Sequence, residues 1–173
     1  MKGLSDIRTE YTKATLDIQS VDKNPLRQFG KWFEQAIGSK ALEPNAMTLS
    51  TLSANGRPTS RVVLLKGLEK NQFVFYTNYQ SEKGKELELH PACALNFFWP
   101  ELERQVRIEG VAGRVLGEVS DAYFQSRPRE SQIGAWASPQ SALIKERSIL
   151  EERVKQMEQK YKGLKVLPRP RQW

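Results

Sequence analysis

The sequence predicts a mainly antiparallel β fold with flanking helices, in which the strands curl into a small β-barrel. Between residues 46 and 116, short apolar segments alternate with tight turns, a pattern typical of antiparallel sheets and barrels. The longer helical patterns lie in the two flanks of this region, and one short helix is predicted inside it. The 173 residues are 39% hydrophobic and 27% charged, which suits one domain with a real core. We expect an N-terminal segment over 1–23 that could be mobile, followed by a single domain over 24–173.

The helix after the N-terminal segment is predicted by its start signal. Asn24 is a suitable N-cap, and Pro25 suits the first helical position. Apolar residues then recur at helical spacing up to Gly38, so we expect a helix over about 25–37. Before Asn24, the pattern favours at most one short helix, around Ile7 to Leu16.

The central strands are predicted by alternation and by the turns between them. Asn55-Gly56 is the strongest short hairpin signal, and the segments LEKN and Pro100-Glu101 also read as turns. Ser81 can cap a short helix over 82–89, which Pro91 stops. The predicted strands cover 46–53, 59–66, 72–78, 92–99 and 103–116.

Beyond the strands, the chain becomes helical. A helix over 117–127, with Ser120 as its possible cap, ends before Pro128, and 131–140 reads as an irregular link. Ser138-Pro139 then opens a long helix at about 140–162 that Gly163 closes. Its apolar stripe comprises Leu143, Leu150, Val154, Met157 and Tyr161. The last segment, 166–173, is proline-rich and is predicted to be extended.

The net charge of +7 indicates a polyanion partner only if the positive charge lies on one surface. Residues 1–141 hold 18 basic and 16 acidic side chains, whereas residues 142–173 hold 9 and 4. Most of the excess therefore lies on the C-terminal helix and tail, without interleaved aromatic residues, which favours a solvated face. A basic barrel that binds nucleic acid remains an alternative, although we expect no nucleic-acid partner.

The usual catalytic side chains are scarce. His90, at a helix end before Pro91, reads as a partner of the helix dipole, and Cys93 reads as a small core residue. Because the sequence has a single cysteine and a single histidine, it cannot form an internal disulfide or the common zinc sites. A histidine-based catalytic triad would have to use His90, which argues against that class of enzyme. No phosphate-binding loop, apolar membrane span or secretory signal is apparent, so we expect a cytoplasmic protein with no membrane partner and no metal. Any difficult chemistry would belong to a bound cofactor.

The segment RVVLLK carries two cations on one predicted strand. Arg61 and Lys66 bracket four apolar residues, with backbones about 16 Å apart and nominally on opposite faces. The two cations are either strand ends in water or ligands for anionic groups.

Two further clusters of donors suit phosphate groups. The first lies at a strand end that runs into a helix N-terminus, where free amides add to the side chains. Its members are Tyr76, Thr77, Ser81, Lys83 and Lys85. The second comprises Tyr123, Arg127, Arg129 and Ser131, of which Tyr123 and Arg127 share a helix face. Two clusters predict two phosphorylated ligands.

At these residues the sequence resembles the pyridoxine/pyridoxamine 5′-phosphate oxidase family, FMN enzymes with the split-barrel fold. The matching blocks cover almost the whole chain in order. They are RTEY, EPNAMTLSTL, GRPTSRVVLLKG, FVFYTNYQSEKGKEL, ALNFFWPELERQVRIEG, SDAYFQSRPRESQIGAWASPQS and PRPRQW. The resemblance implies oxidation of pyridoxamine or pyridoxine 5′-phosphate by O₂ to pyridoxal 5′-phosphate and H₂O₂. It also implies a homodimer with FMN at the subunit interface.

The resemblance assigns roles to the donors. The implied FMN contacts are Arg61, Val62, Val63, Leu64, Leu65, Lys66, Tyr76, Thr77, Lys83, Gln105, Gln140 and Ser141. The implied substrate contacts are Lys66, Tyr123, Arg127, Ser131 and the N-terminal residues Arg8 and Tyr11. No catalytic side chain is assigned, because hydride passes directly to the flavin. If Arg61 and Lys66 serve two ligands, a bulge, a strong twist or a partner subunit must resolve their opposite-face geometry.

The sequence departs from the family pattern in two places. Glu82 stands where the family commonly has an arginine beside the FMN phosphate, and a carboxylate cannot donate to phosphate. Family members also continue past the tryptophan that matches Trp173 into strands with a flavin-contacting tryptophan and an Arg-Leu-His substrate motif, which we expect this chain to lack. A non-catalytic flavin- or pyridoxal-phosphate-binding barrel, or an inactive truncated form, is therefore the alternative.

Overall fold

The computed structural model describes residues 3–173 as β-sheets with flanking helices. The helices are α1 (Pro25–Gly38), α2 (Glu82–Leu89), α3 (Gly117–Ser126), α4 (Arg129–Ala137) and α5 (Arg147–Lys160). The strands are β1 (Ala46–Leu52), β2 (Pro58–Leu64), β3 (Gly67–Glu69), β4 (Gln72–Val74), β5 (Ala92–Trp99) and β6 (Arg104–Val111). No helix in this part of the chain is long and apolar enough to span a bilayer.

The strands pair as two sheets. One sheet has the order β2-β1-β5-β6, and the other is the antiparallel hairpin β3-β4, in which Leu68 pairs with Phe73. The predicted turn at Asn55-Gly56 joins β1 to β2, with Gly56 at φ 76°, a value that glycine adopts without strain. The segment LEKN contributes to the β3-β4 hairpin, whose tip residues Lys70 and Asn71 both have positive φ.

The predicted caps begin α1 and α2. Asn24 Oδ1 accepts the backbone N–H of Leu26 at 2.9 Å, and Ser81 Oγ accepts that of Gly84 at 3.3 Å. A Cβ atom on Gly84 would lie 2.5 Å from the carbonyl oxygen of Tyr79. A glycine is therefore required at position 84, near the start of α2. The close approach of the Tyr79 carbonyl to Gly84 packs the preceding loop tightly against the helix.

The chain divides into two compact units. Unit 1 comprises residues 1–49, 62–74 and 95–108. Its core is an aromatic cluster in which the Phe29 ring lies 5.0 Å from that of Phe97 and 6.0 Å from that of Trp99. Trp99 also donates its indole N–H to the Pro44 carbonyl at 2.9 Å, so the only polar atom of this buried side chain is satisfied.

Unit 2 comprises residues 50–61, 75–94 and 109–173. Its core contains the buried side chains of Phe124, Ile133, Tyr161 and Leu167, which come from α3, α4 and the chain that follows α5. Leu167 is fully buried, and Gln125 Nε2 donates to its carbonyl at 2.5 Å. The proline-rich segment 166–173, which was predicted to be extended, forms no regular secondary structure and is built into this core.

Two helix predictions were wrong. Residues 7–16 form no helix, and a single 3-10 turn over Leu4–Asp6 precedes them. The side chains of Ile7 and Leu16 are about three-quarters exposed, so little apolar burial is available to stabilise a short helix here. The C-terminal helix begins at Arg147 rather than near 140, because Leu143 is fully exposed and does not join the stripe.

The predicted irregular link over 131–140 was also wrong, since most of it belongs to α4. Pro128 stands immediately before α4, a position where its missing N–H costs nothing. Ser120 lies buried inside α3 and does not cap it. Four predicted strands end earlier than expected, at Leu52, Leu64, Val74 and Val111.

Candidate functional site

The Arg61 cluster, defined as Thr51, Thr59, Arg61 and Glu86 in unit 2, surrounds a buried carboxylate. The Arg61 guanidinium forms an ion pair with Glu86 at 2.8 Å and donates to both threonine hydroxyls, at 2.8 Å for Thr59. Glu86 also accepts from Thr51 Oγ1 at 2.6 Å and from Thr59 Oγ1 at 2.9 Å. These side chains meet because β1 and β2 place the threonines beside each other, and α2 places Glu86 over them.

The carboxylate of this cluster is held in its charged form. Glu86 is only 5% exposed, and this burial alone would raise its pKa. Hydrogen bonds from Thr51, Thr59 and Arg61, together with the charge of Arg61, outweigh burial, so the pKa of Glu86 lies below its ordinary value. Arg61 is therefore fixed by a full negative charge.

Lys83 is a second buried cation, at the start of α2. Its Nζ atom donates to Thr77 Oγ1 at 3.2 Å and to Ser81 Oγ at 3.3 Å, both of them neutral acceptors. Burial is the main cause that lowers the pKa of Lys83, and the positive charge of Arg61 adds to it. A buried ammonium group on hydroxyl acceptors, beside a helix N-terminus, favours an anionic ligand.

The Arg127 cluster, defined as Tyr76, Tyr123, Arg127 and Trp173, also lies in unit 2. The rings of Tyr76 and Tyr123 stack with their centroids 3.8 Å apart, and the Trp173 ring lies parallel to that of Tyr123 within 4°. The Arg127 guanidinium carbon stands 4.4 Å above the Trp173 ring centroid, a cation–π contact. The structure thus brings together Tyr76 from the predicted FMN set and two residues from the predicted substrate set.

Arg127 is poorly solvated and incompletely paired. Its Nη1 atom is buried without a hydrogen-bond partner among the described residues, and burial lowers the pKa of the guanidinium. Burial likewise raises the pKa of Tyr123. The backbone carbonyl of Arg127 accepts the Gln132 side-chain amide at 3.0 Å, which fixes the corner between α3 and α4. An unsatisfied buried donor of this kind is costly, and its presence favours an anion at this position.

The other predicted contacts in unit 2 lie outside the two clusters described above. Gln140 and Ser141 are exposed in the irregular segment before α5, and Ser131 is half-buried in the first part of α4. The Arg129 guanidinium donates to the carbonyls of Tyr161 and Leu164 near the end of α5, and its predicted part in phosphate binding stays a prediction. Lys85 is exposed on α2.

Unit 1 holds the remaining predicted contacts, Arg8, Tyr11, Val62, Val63, Leu64, Leu65, Lys66 and Gln105. The Lys66 and Tyr11 side chains are exposed, and the Arg8 side chain donates to the nearby Ser5 carbonyl. The strand β2 ends at Leu64, so regular strand alternation does not extend to Lys66, and the expected opposite-face placement of Arg61 and Lys66 stays a prediction. Lys66 N instead donates to the Val74 carbonyl at 2.8 Å.

The lone histidine and cysteine lie apart from this chemistry. The backbone N–H of His90 donates to the Glu86 carbonyl at 2.7 Å, so His90 is the C-cap residue of α2, and the predicted interaction of its imidazole with the helix dipole stays a prediction. Cys93 is half-buried, and burial raises the pKa of its thiol, which makes it a weak nucleophile.

Sequence reasoning missed Thr51, Thr59, Glu86 and Trp173. The threonines carried a signal, because they are equally distant from Asn55 at the hairpin turn and therefore face each other on β1 and β2. Glu86 carried a weaker one, since it lies one helical turn after Lys83. Trp173 carried none, because the segment before it has no regular period.

Comparison with known proteins identifies close relatives. The pyridoxamine 5′-phosphate oxidase family profile matches residues 33–161. A pyridoxine/pyridoxamine 5′-phosphate oxidase of Rubrobacter xylanophilus is 52% identical over 172 residues, which cover 99% of this chain and 79% of the relative. One from Leptospira interrogans is 53% identical over 170 residues, covering 98% of this chain and 79% of the relative.

Solved structures confirm the predicted split-barrel fold class. PhzG from Burkholderia lata, solved with tetrahydrophenazine-1-carboxylic acid, superimposes with a TM-score of 0.83 at 25% identity. It covers 91% of this chain and 78% of its own. A pyridoxamine 5′-phosphate oxidase-related, FMN-binding protein from Nostoc punctiforme has a TM-score of 0.59 at 22% identity. That match covers 76% of this chain and 73% of the other, and shows the fold alone.

Proposed function

The chain belongs to the pyridoxamine 5′-phosphate oxidase family, and from this premise we propose its function. It oxidises pyridoxine or pyridoxamine 5′-phosphate with O₂ to give pyridoxal 5′-phosphate and H₂O₂, using FMN as cofactor. The alcohol loses two electrons and two protons to O₂, and the amine also takes up water and releases ammonia. The observation that carries the proposal is the presence in unit 2 of two phosphate-type donor clusters.

The FMN phosphate fits the donors around α2. Arg61 and Lys83 supply positive charge, and Thr77 and Ser81 supply hydroxyl groups that already contact Lys83. An FMN phosphate would give the buried Lys83 ammonium the anion that its hydroxyl partners do not provide. FMN bound there would supply the redox chemistry, since a flavin can accept two electrons from a substrate and pass them to O₂.

The substrate phosphate fits the Arg127 cluster. Arg127 has an unsatisfied donor, and Tyr123 and Ser131 supply hydroxyl groups on the adjoining helices. The family resemblance further assigns Lys66, Arg8 and Tyr11 to the substrate, and we retain them as proposed contacts. A substrate without a phosphate would leave Arg127 uncompensated, so the cluster favours phosphorylated B6 vitamers over neutral ones.

The side chains in this proposal bind and orient rather than transfer protons. Neither His90 nor Cys93 belongs to either donor cluster, and a guanidinium group offers hydrogen-bond donors to an anion but no acceptor for a proton. Two anchored phosphates would fix the relative positions of the two reactants, and such alignment can contribute about 7–11 kcal/mol to the barrier. This accounts for an enzyme without an obvious general base.

A homodimer with FMN at the subunit interface is part of the proposal. In unit 1, the side chains of Val62 on β2 and Phe98 on β5 are both more than half exposed, which is unusual for apolar residues on a sheet. Gln105 on β6 donates to Asn96 Oδ1 on the neighbouring strand β5 at 2.8 Å. A second subunit on this surface would bury the apolar groups and bring further contacts to the flavin.

The decisive experiment combines an absorption spectrum with a peroxide assay. We expect purified protein, loaded with FMN, to show flavin absorption and to release H₂O₂ when pyridoxine 5′-phosphate is added. Dephosphorylated pyridoxine should give a much smaller kcat/KM, because the Arg127 cluster then lacks its anion.

Three other outcomes would contradict the proposal. Bound flavin without peroxide release would indicate a non-catalytic binding protein. A chain that cannot be loaded with FMN would refute the cofactor assignment. Salt-sensitive binding of nucleic acid by a colourless protein would favour the basic-barrel alternative.

A further inference from the structure

The Trp173 ring is fixed by contacts that do not involve Arg127. Its backbone N–H donates to the Pro170 carbonyl at 3.0 Å, and the preceding Gln172 carbonyl accepts the Tyr79 N–H at 2.6 Å. Pro170 is almost completely buried, and the Trp173 ring meets the edge of Phe124 at 5.3 Å. The indole is therefore a rigid platform within unit 2.

The residues before Trp173 anchor the same segment. Arg169 forms an ion pair with Asp121 on α3 at 2.6 Å, and Trp136 on α4 donates its indole N–H to the Pro168 carbonyl at 2.9 Å. The segment is thus attached to both helices that flank Arg127. Its position relative to the end of α3 is set by these contacts.

Arg127 depends on this platform for its orientation. It follows the last residue of α3 in an extended conformation, and its guanidinium lies over the Trp173 ring. Unlike Arg61, it has no carboxylate partner in the part of the chain described. An aromatic face attracts the cation without neutralising its charge and leaves the in-plane N–H groups directed away from the ring.

We propose that Trp173 is a positioning residue that holds the Arg127 guanidinium and the Tyr123 ring for the phosphate of the substrate. This inference rests on the proposed function and goes beyond it by assigning a role to a residue outside both predicted contact sets. A carboxylate in the place of the indole would fix the arginine equally well but would compete with the phosphate. The aromatic partner avoids that competition.

The test compares two ligands that differ only in the phosphate. 4-Deoxypyridoxine 5′-phosphate and 4-deoxypyridoxine have no oxidisable group at C4′, so their binding to the FMN-loaded protein can be measured by calorimetry. For Trp173→Ala we expect the dissociation constant of the phosphorylated ligand to rise about tenfold and that of the other ligand to stay within about twofold. Trp173→Phe should restore most of the affinity, because it keeps an aromatic face.

The matched control is Trp32→Ala in unit 1. Trp32 also lies under an arginine, with the Arg104 guanidinium 5.2 Å from its ring centroid, so the control removes the same kind of contact elsewhere. It should leave the affinity for both ligands unchanged. In turnover, Trp173→Ala should raise KM for pyridoxine 5′-phosphate with kcat nearly constant.

Each result either supports or overturns the positioning role of Trp173. Equal weakening of both ligands by Trp173→Ala, or wild-type affinity for the phosphorylated one, would overturn the positioning role. If Trp173→Ala does not fold, Trp173→Phe and Trp173→Leu provide the same contrast, and equal affinities in these two would refute it. If the unmodified protein binds no phosphorylated ligand, the proposed function fails instead, and the two failures are distinguishable.

Discussion

Arg61 and Arg127 are both proposed to bind phosphate, yet they are held in opposite ways. Arg61 contacts the carboxylate of Glu86 and two threonine hydroxyls, so its charge is balanced before any ligand arrives. Arg127 lies on an indole ring with a buried, unpaired Nη1 atom. The first arginine is therefore part of the structure as well as of the proposed site, whereas the second is held at a cost that only an anionic ligand offsets.

We therefore expect substitutions in the Arg61 cluster to change the stability of the folded protein, and substitutions of Arg127 to change the binding of substrate. Removal of the partner of Arg61 should weaken the folded protein, and removal of Arg127 should not. The predictions below test that separation, beginning with the Arg61 cluster.

The largest effect is expected from Glu86→Ala. It leaves the Arg61 guanidinium, itself only 20% exposed at the side chain, without its counter-charge and removes the acceptor of Thr51 and Thr59. Breaking a buried pair in this way costs about 3–5 kcal/mol in the free energy of unfolding, which urea denaturation can measure. FMN affinity should fall as well, because Arg61 is no longer oriented.

Glu88→Ala is the matched control for this change. Glu88 lies on the same helix and pairs with Arg114, but both side chains are more than half exposed, so its loss should cost at most about 1 kcal/mol. If the two variants are destabilised equally, the Arg61 cluster has no special structural role.

The pH dependence gives an independent check on Glu86. Its pKa is lower in the folded protein than in the unfolded chain, so its stabilising contribution is fully present above the ordinary pKa of 4.5. The contribution is lost as the pH falls through the lowered, folded value. The difference in stability between the unmodified protein and Glu86→Gln should therefore narrow in acid, and a constant difference from about pH 7 to pH 3 would contradict the assignment.

Features that depend on residues close together in the sequence could be predicted, and features that depend on tertiary packing could not. The Asn24 cap, the Ser81 cap and the Asn55-Gly56 turn depend on neighbouring residues and were confirmed. The Arg61 cluster could not be predicted in full, because Thr51 and Glu86 are 35 positions apart and meet only through the packing of α2 on the sheet. Local patterns do not encode that packing.

The helices after the sheet also depend on tertiary contacts that local sequence patterns do not predict. The segment that became α4 looked irregular, yet Gln132 is buried and donates to the carbonyls of Phe124 and Arg127 at the end of α3. Those tertiary hydrogen bonds, together with the burial of Ile133, support a helix that propensity alone does not favour. Likewise, segment 166–173 is irregular but ordered by its contacts, which is why Trp173 was missed.

A smaller effect is expected from Arg127→Met, and it should appear in binding rather than in stability. Methionine keeps an apolar stem against Trp173 but removes the buried charge and its unpaired Nη1 atom. We expect KM for pyridoxine 5′-phosphate to rise about tenfold or more, since each tenfold step corresponds to about 1.4 kcal/mol. The free energy of unfolding should stay the same or increase, because an uncompensated polar group has been removed.

Lys66→Met is the control for the Arg127 substitution. Lys66 is exposed in unit 1, so its replacement should also raise KM but leave stability within about 0.5 kcal/mol. A clear loss of stability in Arg127→Met would contradict the view that this arginine is held at a cost.

The smallest effect is expected from Glu82→Gln and concerns FMN affinity alone. Glu82 is exposed in the first turn of α2, beside the buried Lys83, where its negative charge opposes an incoming phosphate. Loss of this charge should tighten FMN binding about two- to fivefold, as measured by quenching of flavin fluorescence, and the gain should shrink at high salt. The same charge favours the positive end of the helix, so a slight loss of stability should accompany the gain in affinity.

The protonation of Lys83 sets the pH range in which Glu82→Gln tightens FMN binding. The control variant for Glu82→Gln is Glu88→Gln, at the far end of α2. Burial lowers the pKa of Lys83 below 10.5, while Glu82 opposes this shift, so Glu82→Gln leaves Lys83 easier to deprotonate. As the pH rises toward that lowered value, the variant loses its ammonium group before the unmodified protein does. The advantage of Glu82→Gln should therefore decline in alkali, and equal or weaker FMN binding at neutral pH would show that the carboxylate does not oppose the phosphate.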